Sequence, residues 1–309
     1  MNPASDISVI IPLYNKAASI QRTLRSVMSQ RVQPREIIVV DDGSTDDSAQ
    51  LVQSLNSPLV RLLRQQNRGV SAARNRAMAE ATGRWVALLD GDDVWEEDYL
   101  QRVESLISAY PDCGAYGMGF WVETDGRRTL GSFPRQEGVV DFFSLSMTCY
   151  VLIPSATTLN RELALSLGGF PEGMRMGEDQ YLWTRIARSA KVAFSPHAAV
   201  IYSRTAENRS AAIYRAEQTR FSFEDLYDAS ADDMSNEYVA RVALGKALVE
   251  CVRGGSDAAR RALRFFSYNR LSKRIERKIR LFNALPACVR GWVYNLYNWL
   301  AWTIARKGM

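Results

Sequence analysis

The nine residues Trp85-Val86-Ala87-Leu88-Leu89-Asp90-Gly91-Asp92-Asp93 run from a continuously apolar stretch straight into three carboxylates. Five apolar residues bounded by turn formers fit a strand covered on both faces. Acidic side chains just beyond such a strand lie where open parallel sheets bind ligands. Carboxylates at that place can offer hard oxygen ligands to Mg²⁺, which takes one or two from protein and fills its other positions with water and substrate phosphates. The alternative is a solvated acidic turn in which Asp92 or Asp93 caps the following helix.

Working outward, three more apolar runs, Ile7 to Leu13, Glu36 to Val40 and Val60 to Leu63, read as strands. Helical periodicity occupies Ser19 to Ser29, Asp46 to Leu55, Ser71 to Ala81 and Glu97 to Ala109. This alternation predicts βα units building a mostly parallel sheet with flanking helices. Ser44 and Asp47 read as a capping box for the second helix, which puts Asp41-Asp42-Gly43 in the turn after the second strand. Farther on, Asp125-Gly126 signals a hairpin and Tyr150 to Asn160 a further strand. Past Tyr214 helical patterns take over: Glu217 to Asp228, Asn236 to Val252, Asp257 to Phe266, Leu271 to Asn283 and, after Pro286, Ala287 to Ala305. The expected division is therefore an α/β domain over 1–214 and a helical region over 215–309.

Charge separates the same two parts. From Arg253 onward thirteen Lys or Arg face only Asp257 and Glu276, a net +11, whereas the whole chain carries +5 and its first 252 residues therefore −6. Between Arg270 and Arg280 six cationic side chains flank an apolar stripe of Leu271, Ile275, Ile279 and Phe282. Such a helix can lie on an anionic membrane or pack on protein. Trp292, Tyr294, Tyr297, Trp299 and Trp302 follow in a segment too short to span a bilayer. The four cysteines are scattered without metal-ligand spacing, and no export signal is evident at the N-terminus, so a cytoplasmic home is expected, peripheral on the inner face of the cytoplasmic membrane if the tail binds lipid. A homo-oligomer is compatible with the sequence; a nucleic-acid partner is not expected.

Three other elements carry chemistry. In Asp41-Asp42-Gly43-Ser44 an aspartate can accept hydrogen bonds from a base or ribose while Gly43 permits a tight turn; helix capping is the plainer reading. In Asn67-Arg68-Gly69-Val70-Ser71-Ala72-Ala73-Arg74-Asn75 small residues allow a helix start to approach a ligand or another surface closely, and Arg74 offers a planar cationic fork. Gly168-Gly169-Phe170-Pro171 and Gly177-Glu178-Asp179-Gln180 come about ninety residues later. Two carboxylates opening a helix can be dipole partners, or one can take a proton from an attacking hydroxyl.

In this order and spacing, VIIPLYNK, VVDDGSTDDS, NRGVSAARN, LLDGDD, GGFPEG and GEDQYLW resemble the large family 2 of inverting glycosyltransferases with the GT-A fold. The resemblance covers about Ile7 to Ser210 and implies a Rossmann-like GT-A domain, to which the helical region is an extension. It implies that Pro12, Tyr14 and Asp42 hold the base and ribose and that Gly69 and Arg74 form a second nucleotide-side segment. Asp90 and Asp92 match the DxD, with Asp92 the favoured ligand for Mg²⁺ or Mn²⁺ and Asp93 a neighbour able to replace it. Asp179 matches the catalytic base, with Glu178 beside it. The implied activity is transfer of a sugar from a nucleotide-diphosphate donor, UDP being the commonest nucleotide in similar enzymes, to a saccharide or lipid-linked glycan. Members often carry a histidine in a YRxH-like pattern, whereas this chain has Tyr202-Ser203-Arg204-Thr205; Arg204 or Arg209 are the candidate substitutes, and His197 is expected to be structural. A sugar nucleotidyltransferase would need a glycine-rich phosphate loop after the first strand, where PLYNKAAS stands instead. A noncatalytic binder of sugar nucleotides or membrane surfaces is the other alternative.

Overall fold

A computed structural model describes residues 5–204, 219–231, 233–294 and 296. The chain divides into two compact units, Met1–Phe221 and Ser222–Met309.

The first unit opens with β1 (Ile7–Leu13), α1 (Ile20–Met28), β2 (Glu36–Asp41), α2 (Ser48–Ser54), β3 (Val60–Arg64), α3 (Val70–Glu80) and β4 (Trp85–Leu88). It continues with β5 (Val94–Trp95), α4 (Tyr99–Ala109), β6 (Cys113–Thr124), β7 (Arg127–Leu130), β8 (Gly138–Val140), α5 (Phe142–Ser146), β9 (Thr157–Asn160), α6 (Arg161–Ser166), α7 (Glu178–Ser189) and β10 (Lys191–Ser203). The strands form one sheet in the order β3-β2-β1-β4-β9-β6-β10-β5, with β7 on β6 and β8 on β10. β1, β2, β3 and β4 run parallel, as the repeated βα pattern requires. Beyond β4 the sheet is mixed: β9 is antiparallel to both β4 and β6, and β10 pairs parallel with β6 but antiparallel with β5 and β8. The expectation of a mostly parallel sheet therefore holds for its first half only.

The central strands are apolar on both faces because both are covered. Val9, Ile10, Ile11, Ile37 to Val40 and Val86 to Leu89 are buried, and each Val, Ile or Leu among them contributes about 1.5–3 kcal/mol by leaving water. α1 sets Ile20, Leu24 and Val27 inward at helical spacing. α3 buries Ala72, Ala73 and Ala77 and packs on β1 and β2, where small residues let helix and sheet come close. The Asp125-Gly126 hairpin forms as expected between β6 and β7, both residues having positive φ, 50° and 74°.

β1 leads by way of α1 to β2 on one side, while the chain returns after β3 to place β4 on the other side of β1. The loops after β1 and β4 thus flank the point where the strand order reverses. Ligands of open α/β sheets bind at such a point.

The second unit contains α8 (Asp233–Val252), α9 (Ser256–Phe265) and α10 (Lys273–Ala284), with α9 and α10 packed on α8. Residues 287–294 are also helical. Buried Arg290 donates to Cys251 O, Leu285 O and Ser256 Oγ, tying this segment to α8 and α9. The helix expected over Glu217 to Asp228 is replaced, in its described part, by a short 3₁₀ turn, Phe223–Leu226. There Asp225 Oδ2 accepts from Ser222 N and Ser222 Oγ from Glu224 N, closing the chain tightly. The expected apolar stripe is split: Ile279 and Phe282 on α10 are buried within this unit and Ile275 is half-buried, whereas Leu271, ahead of the helix, is exposed. Of the terminal aromatics, Trp292 is 69% exposed; Tyr297, Trp299 and Trp302 lie outside the described residues.

Candidate active site

The loop after β1 is held by the loop after β2. Asn15 adopts φ 51° and its Oδ1 accepts from Thr45 N, while Asn15 N donates to Ser44 Oγ. Lys16 N donates to Ser48 Oγ at 2.7 Å and Ala17 N to Asp46 Oδ2. These bonds correct the capping-box reading: Ser44 faces the β1 loop, and neither it nor Asp47 makes a side-chain cap on α2. Pro12 is half-buried and pairs with Val40, while Tyr14 projects into solvent at the loop's outer edge.

Asp42 is buried and its carboxylate is well occupied. Oδ1 accepts from Gln65 Nε2 at 2.7 Å and Arg68 N at 2.9 Å, and Oδ2 from Gly69 N at 2.7 Å. It therefore fixes the chain entering α3. Gly69 has φ +91°, and a Cβ there would meet nothing within 4 Å. The glycine is demanded by the backbone rather than by crowding, and the space beside the α3 N-terminus is open to a ligand.

In the acidic turn the three aspartates have different surroundings. Asp93 is buried; Ser203 N donates to its Oδ1 at 2.8 Å and Ser155 Oγ to its Oδ2. Burial pushes its carboxyl well above the usual range, Asp92 and Asp90 adding to the shift against those hydrogen bonds. Asp93 thus clamps the end of β10 to the segment before β9. Asp92 and Asp90 point elsewhere: Lys16 Nζ lies 2.6 Å from Asp92 Oδ2, and Arg74 Nη2 lies 2.7 Å from Asp90 Oδ1. Burial and then Asp90 raise Asp92 above the ordinary carboxylate range, with Lys16 opposing. Ser19 Oγ donates to Gly91 O, fastening the turn to the start of α1.

Arg74 joins this turn to α7. Only 3% exposed, it reaches Asp90 and, at 3.5 Å, Glu178 Oε1, with its guanidinium 5.2 Å from the centre of the Phe170 ring. Burial works against its charge, but Asp90, Glu178 and Asp179 hold the proton on and raise its pKa. Phe170 is placed by Asn75, whose side-chain amide accepts from Phe170 N and donates to Phe170 O, each at 2.8 Å. Gly168 and Gly169, at φ +83° and +67°, make the turn that permits this. On the first turn of α7, burial and then Asp179 push Glu178 up to about 7, against the pull of Arg74. Burial also raises Asp179, opposed first by the Gln180 amide on its Oδ1 and then by Arg74.

The structure therefore gathers Asp90, Asp92, Arg74, Glu178 and Asp179 around the end of β4, with Asp42 and Gly69 beside them at the start of α3. His197 stands away from this cluster, its Nε2 3.1 Å from Asp98 Oδ2. Arg204 is exposed and its amide donates to Glu123 O; Arg209 lies outside the described residues. Among the described residues no group of three or more His, Cys, Asp or Glu is arranged to hold a metal ion. Sequence reasoning assigned no role to Lys16, Asn75, Ser155 or Ser203. Lys16 had a usable signal, since adjacency of β1 and β4 brings their loops together; the serines had none.

Fold, motif order and site define the class of a GT-A glycosyltransferase. The chain belongs to Glycosyl transferase family 2, which its sequence matches over residues 8–184. It is similar to YibD of Escherichia coli strain K12, described as an uncharacterized glycosyltransferase, with 43% identity over 110 residues covering 35% of this chain and 31% of YibD. It is 32% identical to the succinoglycan biosynthesis protein ExoO of Rhizobium meliloti over 222 residues, 65% of this chain and 63% of ExoO. The match thus spans about a third of YibD and somewhat under two thirds of ExoO. Among solved structures, S. aureus TarS 1–349 in complex with UDP-GlcNAc has TM-score 0.62 and 22% identity, covering 85% of this chain and 73% of that one. The mannosyltransferase PcManGT of Pyrobaculum calidifontis, in complex with GDP-Man and Mn²⁺, has TM-score 0.55 and 20% identity over 97% of this chain and 81% of that one. At these identities the likeness concerns the fold.

Proposed function

We propose that the chain transfers a sugar, with inversion at the anomeric carbon, from a nucleoside-diphosphate donor to a hydroxyl of a saccharide or lipid-linked glycan. The observation carrying this reading is the meeting of Asp90, Arg74 and Glu178, with Asp179 alongside, at the end of β4. Asp179 takes the proton of the acceptor hydroxyl as that oxygen attacks, and its raised pKa makes the carboxylate a stronger base. Arg74 holds Asp90 and Glu178 in place and keeps the cluster's negative charge compensated. The opened rim at Gly69 and the loop bearing Pro12 and Tyr14 receive the nucleotide, with Asp42 shaping that rim through the Arg68 and Gly69 amides. UDP is the favoured nucleotide, as the commonest in similar enzymes; solved structures that share the fold hold UDP-GlcNAc in TarS and GDP-Man in PcManGT.

A Mg²⁺ or Mn²⁺ ion fits two of the three acidic residues. Asp92 Oδ2 and Asp90 Oδ1 already attract cationic groups, and a pair of carboxylates is the usual protein share when substrate phosphates supply the rest. Asp93 leaves the set, because both its oxygens are engaged inside the protein. When bound, the ion would stabilise charge developing on the departing diphosphate. An assay of donor hydrolysis and transfer with and without EDTA, on the wild type and Asp92→Ala, tests this function. Metal-dependent turnover lost in Asp92→Ala supports it; turnover indifferent to both changes contradicts it.

The acceptor reading extends to location: peripheral attachment to the inner face of the cytoplasmic membrane, acting on an envelope saccharide; the similarity to the succinoglycan biosynthesis protein ExoO supports the saccharide part of this reading. No helix of the described residues is long and apolar enough to cross a membrane. Exposed Leu271, Leu281 and Trp292 occur with exposed Arg274, Arg277 and Arg280 in the second unit, and each cation near anionic lipid contributes up to about 1 kcal/mol. Flotation with anionic liposomes should be lost in an Arg274→Glu/Arg277→Glu/Arg280→Glu variant. Equal flotation of both proteins would remove the basis for membrane attachment.

A further inference from the structure

Lys16 is placed with more care than a surface lysine. Its N–H is bonded to Ser48 Oγ at 2.7 Å, and its carbonyl accepts from Ser19 N and Ile20 N at 3.0 and 2.9 Å, so the backbone is fixed where α1 begins. The side-chain stem runs past Gly91, where an added Cβ would lie 3.5 Å from Lys16 Cγ. At its end Nζ sits 2.6 Å from Asp92 Oδ2, both side chains about 15% exposed (16% and 15%). A long flexible side chain ordinarily loses entropy when held in one geometry. Here the β1 loop, locked by the Asp46 and Ser48 side chains, and the β4 turn, fastened by Ser19, bring the two charges together.

From this geometry we infer that Lys16 is a positioning residue that sets the metal affinity of Asp92 and makes capture of the cation depend on the nucleotide. The inference rests on the proposed metal role of Asp92. A divalent cation and an ammonium group cannot share Asp92 Oδ2 at contact distance without strong mutual repulsion, so Lys16 competes with the metal for that oxygen. A diphosphate arriving at the same place gives Lys16 another anionic partner and adds oxygen ligands for the metal, which then takes Asp92. The ammonium thus disfavours metal bound to the enzyme alone and favours metal bound together with nucleotide.

Calorimetric titration of the full chain with MnCl₂, alone and in the presence of UDP, tests this. Lys16→Met retains the packing along Gly91 and should bind Mn²⁺ alone about tenfold tighter than wild type, the scale of a close, poorly solvated ion pair. The further tightening that UDP produces should shrink in the variant, and Lys16→Arg should restore wild-type behaviour. The gain should vanish when Asp92→Asn is combined with Lys16→Met. Equal Mn²⁺ affinity in wild type and Lys16→Met would overturn the inference while leaving the metal reading intact. Failure of Mn²⁺ to bind wild type and Lys16→Met, with UDP and without it, would overturn both.

Discussion

Replacing Arg74 by Met removes the guanidinium bonded to both Asp90 and Glu178 and leaves these carboxylates without their shared counter-ion. Met keeps much of the stem and its packing near Phe170, so the change is mainly one of charge. Breaking one side of a buried ion pair typically costs about 3–5 kcal/mol. Asp90 and Glu178 retain side-chain exposures of 29% and 15%, which places this site near the lower end, about 3 kcal/mol. For a unit of this size that corresponds to a loss of roughly 6–12 °C in Tm. The loss must depend on pH. In the wild type Glu178 has a folded pKa of about 7, above the ordinary glutamate value of 4.5, so the folded protein binds more protons and its stability falls as pH rises through that window. Arg74 opposes this shift; without it the folded pKa climbs further and the fall extends to higher pH. Thermal unfolding of wild type and Arg74→Met from pH 5 to pH 8.5 reads both effects. A gap in Tm that is within about 2 °C at pH 8, or that does not widen as pH rises, would refute the assignment of Arg74 as the cluster's counter-ion.

Two further outcomes follow from the same geometry. Glu178→Gln removes the group whose deprotonation destabilises the fold between the ordinary glutamate value of 4.5 and about 7, so its Tm should decline less than that of wild type across this range in the same thermal scans. Asp93→Ala should destabilise by about 1–3 kcal/mol by removing the acceptor of the Ser203 N–H and of the Ser155 hydroxyl. Asp93→Asn, which retains an acceptor, should cost less in thermal unfolding and leave Mn²⁺ affinity unchanged in calorimetry.

The legible part of the fold was the part made by local pattern. Continuous apolar runs marked β1 to β4 to within a residue or two at each end, and an Asp-Gly pair marked the β6–β7 turn. The second half of the sheet was not readable because its order depends on pairing between distant segments: β9 inserts antiparallel between β4 and β6, and no local spacing reports that. The acidic turn was visible, but the separate tasks of its aspartates were not, since they are assigned by Lys16, Arg74, Ser155 and Ser203, between 16 and 110 residues away. Ser44 followed a helix-capping pattern, yet a competing partner across the β1 loop took its hydroxyl. Over Leu271 to Phe282 periodicity located the apolar positions without saying which of them the second unit would bury; Ile279 on α10 went inside and Leu271, ahead of that helix, did not.

The central claim is that Asp179 removes the acceptor proton while the neighbouring turn and rim hold the donor. Its most direct test is to measure donor affinity and transfer rate together in Asp179→Asn, a change that keeps the shape of the side chain and removes its basicity. The account predicts unchanged donor affinity and a turnover lowered by at least ~100-fold, the scale of a lost general base. Turnover close to that of wild type would contradict it.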